Sequence, residues 1–256
     1  MNLTDDFTLK FQCGVPVLLE DICAIYPRTL RDIAEIGYSN FEKYLGIITI
    51  EKPDLDKKNN KELVELIKDL SNFQYLLLIA STNMEINEVL KSAFNFFIKD
   101  SIMLVMDPAE IIVGPAEENH ILTEDKFYEL QQIIRRMYCL DTDPDDIEIH
   151  PEDSEAIKKL KRTMKKNREK VKKAKRKESG NSDLKFSDLI GSVTINDCGL
   201  NILNIWDITY YAFHDQLKRM GWRDQFNINN RAALAGAKLN KDQLKHWMRS
   251  INSDIK

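Results

Sequence analysis

Apolar residues recur along the chain in short stretches whose spacing changes several times, and proline, glycine or a capping residue marks each change. FTLKF at 7–11 alternates apolar and polar positions, which predicts a first strand. Gly14-Val15-Pro16 breaks it, and in the following VLLEDICAIYP the pair Glu20-Asp21 separates two apolar runs, so a small meander or hairpin is expected. Pro27 ends that sheet. Thr29, with Asp32 three residues on, can cap a helix whose positions Leu30, Ile33, Gly37, Phe41, Leu45 and Ile48 recur at helical spacing. Gly37 and Gly46 lie on or near this stripe, where small residues allow close packing.

Pro53–Asn60 is polar and predicts a loop. Leu63, Leu66, Ile67, Leu70 and Leu77 then mark one amphipathic helix, and Val89, Ala93, Phe96 and Phe97 a second. Two short strands are expected at Ile102–Met106 and Glu110–Val113, joined by Asp107-Pro108 and closed by Gly114-Pro115. Thr123 starts another helix, with Glu124 and Asp125 at the positive end of its dipole and Phe127, Leu130, Ile134 and Met137 on its buried face.

Beyond residue 150 the pattern changes. Ile157, Met164 and Val171 are seven apart, with Leu160, Asn167 and Ala174 at the alternate heptad positions and mostly lysine or arginine around them. A seam this narrow predicts a long, solvated helix able to lie against one partner helix. ESGNSD at 178–183 reads as a hinge. The last part holds all three tryptophans, at 206, 222 and 247. Asn204 is placed to cap a helix bearing Trp206, Tyr210, Phe213, Leu217 and Met220, with Gly221 to end it. Asn240 and Gln243 resemble a capping box for a terminal helix with Leu244, Trp247, Met248 and Ile251 on one face.

Charge sharpens this division. The chain has 256 residues and a net charge of −4. Residues 1–150 carry 14 Lys/Arg and 28 Asp/Glu, whereas 158–177 carry 13 basic residues and one acid. Three parts follow: an acidic α+β domain over 1–150, a basic helical arm and hinge over 151–183, and an aromatic-rich helical unit over 184–256. The fold class expected is α+β, mainly α: a small N-terminal sheet with about four helices, an exposed basic helix, and C-terminal helices. The longest apolar runs, Tyr75–Ala80 and Ile102–Met106, fall far short of the ~20 residues of a spanning helix, and MNLTDDFTLK lacks a signal-like apolar region. A soluble protein of the cytoplasm is expected, with no membrane partner.

Little in the sequence points to a reaction. Cys13, Cys23, Cys139 and Cys198 form no CxxC pair and predict reduced thiols buried as small hydrophobes. Asp141, Asp143, Asp145 and Glu152 imitate a calcium loop, but Asp146 stands where its glycine belongs and Pro144 interrupts it. His214-Asp215 imitates half of a metal-dependent phosphohydrolase site, yet no second pair has matching spacing, and an exposed polar dyad is the simpler expectation. No Walker loop, GxSxG, HExxH or GxGxxG is present. No catalytic residue, cofactor or metal is therefore assigned.

The basic segment carries the functional expectation. Over ~30 Å of helix it could neutralise several phosphates, but the acidic remainder would repel nucleic acid or fold back upon the basic helix, which favours charge pairing within the chain or with a protein partner. The candidate partner-binding residues are Lys165, Lys166, Arg168, Lys172, Lys173 and Arg176 on the charged surface, with Ile157, Leu160, Met164 and Val171 along the seam. Nucleic-acid binding or regulation through the same segment is the alternative.

Two stretches, ICAIYPRTLRDIAEIGYSNFEKYLGIITI and NILNIWDITYYAFHDQLKRMGWRDQFNINNRAALAGAKLNKDQLKHWMRSI, together resemble tail-morphogenesis proteins of phages and prophages of Gram-positive bacteria, near the tail assembly chaperones. The resemblance implies a non-enzymatic assembly factor that holds a tail component, such as the tape-measure protein, while tube subunits are added. It also leaves open a structural subunit incorporated in the phage particle. It supplies no catalytic residue.

Overall fold

The computed structural model describes residues 5–20, 22–53, 65, 67–106, 109–114, 119–140, 184–195, 199–240 and 245–248. The fold is α+β and mainly helical, and the chain forms two compact units. The first comprises residues 1–139 together with 206–214; the second comprises 140–205 and 215–256. The predicted basic helix, hinge and acidic stretch 141–153 lie outside the described residues.

The first unit opens with helix α1, Asp5–Cys13, where the alternation of FTLKF predicted a strand. The same five residues place Phe7 and Phe11 four apart, which brings their rings to 6.4 Å on one helical face. Asp5 and Asp6 complement the dipole, and Phe11 is buried. Strands β1, Val17–Leu19, and β2, Cys23–Ile25, then form the expected antiparallel hairpin, with Val17 opposite Ile25. Glu20, at its turn, adopts a positive φ of 45°.

Thr29 and Asp32 make the predicted reciprocal cap, each side chain accepting from the other's backbone N–H. The helix they start is shorter than expected. It divides at Gly37, whose φ of 83° a residue with a side chain rarely adopts, into α2, Leu30–Ile36, and α3, Tyr38–Ile48. A Cβ at Gly37 or Gly46 would meet open space, so neither glycine serves close packing. The expected helix from Leu63 to Leu77 is likewise broken. Glu65, Ile67 and Lys68 are helical, the chain leaves the helix at Leu70, and a Ser71–Gln74 capping box starts α4, Asn72–Thr82.

Asn83 caps α5, Met84–Ile98, through the backbone N–H groups of Glu85 and Ile86. The predicted strand pair follows as β3, Ile102–Met106, and β4, Ala109–Val113, and a third antiparallel strand absent from the sequence reading, β5, His120–Leu122, joins β4. Helix α6, Glu124–Met137, buries Phe127, Leu130, Ile134 and Met137 as its spacing predicted. It packs on α4, and Gln131 donates to the Ile48 carbonyl at 2.7 Å, satisfying an end of α3.

The core centres on Phe41 of α3. Its ring lies 5.4 Å from Tyr138, 5.1 Å from Tyr210 and 6.2 Å from Phe96. The Tyr138 hydroxyl donates to the Tyr26 carbonyl and accepts from the Arg28 N–H, and burial pushes its pKa upward. Tyr210 comes from the far end of the sequence. Residues 206–214 are built into this unit: Leu30 N–H donates to the Ile208 carbonyl at 3.0 Å, and Tyr210 N–H to the Arg28 carbonyl at 2.9 Å. The Thr209 hydroxyl donates to the Phe11 carbonyl at 2.7 Å and also accepts from Ala212 N–H, which makes it a helix cap. At the surface Asp207 pairs with Arg31.

Thr209, and not Asn204, thus begins the last long helix, α8, Tyr210–Leu234; the second unit's other described helix is α7, Phe186–Thr194. Asn204 instead closes a tight turn, its Oδ1 accepting from Asn201 N–H at 2.7 Å. Gly221 does not end α8, which passes through it and stops at a Schellman turn. There Gly236, with φ 92°, and Ala237 donate to the Ala233 and Ala232 carbonyls. Residues 245–248 are not helical, contrary to the predicted terminal helix; Phe226 and His246 meet edge to face at 4.9 Å instead.

Phe213 is completely buried although it lies far in sequence from the core residues that 1–139 contribute to the first unit. Phe213→Ala is expected to lower stability by about 3–5 kcal/mol. Urea unfolding followed through the aromatic signal of the full chain measures this, and a loss comparable to that of a surface substitution would contradict the packing.

Candidate functional site

The residues expected to bind a partner, Lys165, Lys166, Arg168, Lys172, Lys173, Arg176, Ile157, Leu160, Met164 and Val171, all lie outside the described residues. So do the acidic loop Asp141–Asp146 with Glu152, and Cys198. What the structure describes is the surface and chemistry of the two units.

The three-stranded sheet of the first unit, β3–β4–β5, has one buried and one outward face. Ile102, Ile111, Val113 and Leu122 are buried, whereas Met103 and Ile121 are 56% and 49% exposed. The register sets Met103 opposite Ile112 and Ile112 opposite Ile121, so one apolar row crosses all three strands on the outward side. Glu110 stands on the same face opposite Val105. A separate open depression of about 390 Å³ lies between α3 and α5, lined by Gly46, Ile47, Ile50, Ile86 and Val89 with Lys43 and Glu85 at its rim. Sequence periodicity suggested neither feature, because both depend on register and on which helices pack together.

Several titratable groups are tied into the core. Arg28 donates from its guanidinium to the Phe96 carbonyl and lies over the Phe96 ring, so it ties the segment between β2 and α2 to the end of α5. Burial, with Asp100 nearby, pushes the Cys23 thiol up to about 12, so this cysteine is an unreactive core residue. Cys13 is exposed, which departs from the expectation that the thiols are buried. The Tyr210 hydroxyl is hydrogen-bonded to that of Tyr38, and burial raises the pKa of both.

The His214-Asp215 pair is not the exposed dyad the sequence suggested. His214, in the first unit, packs on Tyr210 with ring centroids 4.3 Å apart, and its buried Nε2 has no hydrogen-bond partner. Asp215, in the second unit, is buried and pairs with Arg219 one turn along α8. Among the described residues no group of three His, Cys, Asp or Glu side chains is arranged to hold a metal ion. Nor is any described helix long and apolar enough to cross a membrane.

Burial lowers the pKa of His214 from 6.5 to about 4, so the folded chain holds a neutral imidazole near neutral pH. Between those values the unfolded chain binds more protons than the folded one, and stability falls as pH drops through the window. Acidification from neutral pH is expected to cost the wild type more stability than His214→Gln, at a slope of at most about 1.4 kcal/mol per pH unit. Equal slopes in urea unfolding across that range would contradict the buried, neutral state.

Comparison with known proteins adds one likeness. No curated protein and no solved structure matches the chain. Residues 173–252 match the family model described as the YomV second domain. That family is phage-associated, so this part of the chain is similar to a domain of phage proteins.

Proposed function

We propose that the protein is a non-enzymatic, chaperone-like assembly factor of a phage tail, and that it binds a tail component such as the tape-measure protein through the basic segment 157–177. The observation that carries this reading is the likeness of residues 173–252 to a phage-associated domain, which adjoins and partly overlaps that segment. The charge pattern supports it. Thirteen lysines and arginines over 158–177 follow the acidic stretch 1–150, and Ile157, Leu160, Met164 and Val171 recur among them at heptad spacing. Such a segment can engage a long helical client by an apolar seam and opposed charges without a reaction centre.

The test is a pull-down with the full-length chain from phage-producing cells in mild salt. Tail proteins are expected in the wild-type eluate, and their loss is expected when Lys165, Lys166, Arg168, Lys172, Lys173 and Arg176 are all changed to glutamate. An eluate without tail proteins would overturn the reading. The density of positive charge favours one other reading, nucleic-acid binding, which predicts affinity falling log-linearly with salt and a mobility shift abolished by the same substitutions.

A further inference from the structure

We propose that the outward face of the three-stranded sheet is a self-association surface that takes the basic segment 157–177 of a second copy of the chain. The sheet combines two properties seldom left open to water together. Its outward face carries the in-register apolar row Met103, Ile112 and Ile121, which crosses three strands at ~4.8 Å spacing. The charged residues described from Asp100 to Asp125, which are Asp100, Glu110, Glu124 and Asp125, are all acidic. Glu110 stands on the apolar face itself, opposite Val105.

A ligand for this surface must offer apolar side chains in a row with cations on both sides. Nucleic acid is excluded by the charge, and a neutral apolar segment would leave the carboxylates without partners. The chain itself contains the complement. Residues 158–177 carry thirteen cations and one acid, and Ile157, Leu160, Met164 and Val171 run through them. Each copy has one acidic apolar face and one basic segment, so two copies related by a two-fold axis make both contacts at once. The second contact then forms within an already tethered pair, which strengthens the dimer without a new kind of contact. Exposed charge pairs of this type are screened by salt, so the dimer weakens as ionic strength rises.

The inference shares the basic segment with the proposed function but requires no client, so its failure leaves the client-binding reading standing. Sedimentation velocity of the full chain is expected to show a monomer–dimer equilibrium that shifts to monomer as salt rises from about 0.05 to about 0.5 M. Ile121→Lys places a cation in the apolar row at an exposed position and is expected to weaken the dimer at least about tenfold while the melting temperature holds. Met103→Lys, at the opposite edge of the sheet, is expected to do the same. Carbodiimide coupling in a mixture of unlabelled and ¹⁵N-labelled chains identifies the occupant: mixed-isotope links between Glu110 and lysines of 158–177 are expected. A chain that stays monomeric at low salt, a dimer indifferent to both substitutions, or links confined to single-isotope pairs would each overturn the proposal.

Discussion

The return of residues 206–214 into the first unit is the constraint on which that unit depends. Three main-chain groups, Leu30 N–H, the Arg28 carbonyl and the Phe11 carbonyl, find their partners in Ile208, Tyr210 and Thr209. Without those partners each would be left unpaired beside the core, and unpaired buried polar groups cost more than a hydrogen bond returns. The same segment delivers Tyr210 against Phe41 and Tyr138, and Tyr211 against Phe11. One short stretch therefore both closes the hydrogen-bond ledger and completes the aromatic core.

This has a consequence for domain organisation. The residues similar to the YomV second domain, 173–252, include the segment that belongs to the first unit. The matched stretch is therefore divided between the two units. A fragment that begins at residue 140 would carry Tyr210, Tyr211 and Phe213 without the surfaces that bury them, and such exposed aromatic groups favour aggregation. The proposed assembly role asks only for a basic segment with an apolar seam and a stable frame to present it. Burial of Cys23 and the ties made by Arg28 and Gln131 supply parts of that frame.

Elements whose chemistry is self-contained are legible in the sequence. The Thr29–Asp32 cap, the first hairpin, the pair β3–β4 and the buried face of α6 each rest on residues a few positions apart, and all formed as expected. Elements that distant residues decide are not. FTLKF suits a strand by alternation and a helix by the four-residue spacing of its phenylalanines, and the packing of Phe11 on Tyr211 favours the helix. Asn204 and Thr209 are both cap residues, and the Phe11 carbonyl decides for Thr209. Gly37 breaks a helix that Gly221 does not, although both interrupt helical runs, because only Gly37 takes a positive φ. The apolar row of the sheet was hidden for a similar reason: His120–Leu122 is too short to register as a strand until β4 pairs with it. The candidate binding residues stand in the sequence as charge and spacing alone, since the described residues do not include them.

Hydrogen exchange of the intact chain, read by mass spectrometry, tests the central claim most directly. If residues 206–214 complete the first unit, the amides of Leu30 and Tyr210 exchange as slowly as those in the middle of α5, since all open only with the core. Rapid exchange across 206–214 while α3 and α5 stay protected would contradict it, because the first unit would then be stable without its returning segment.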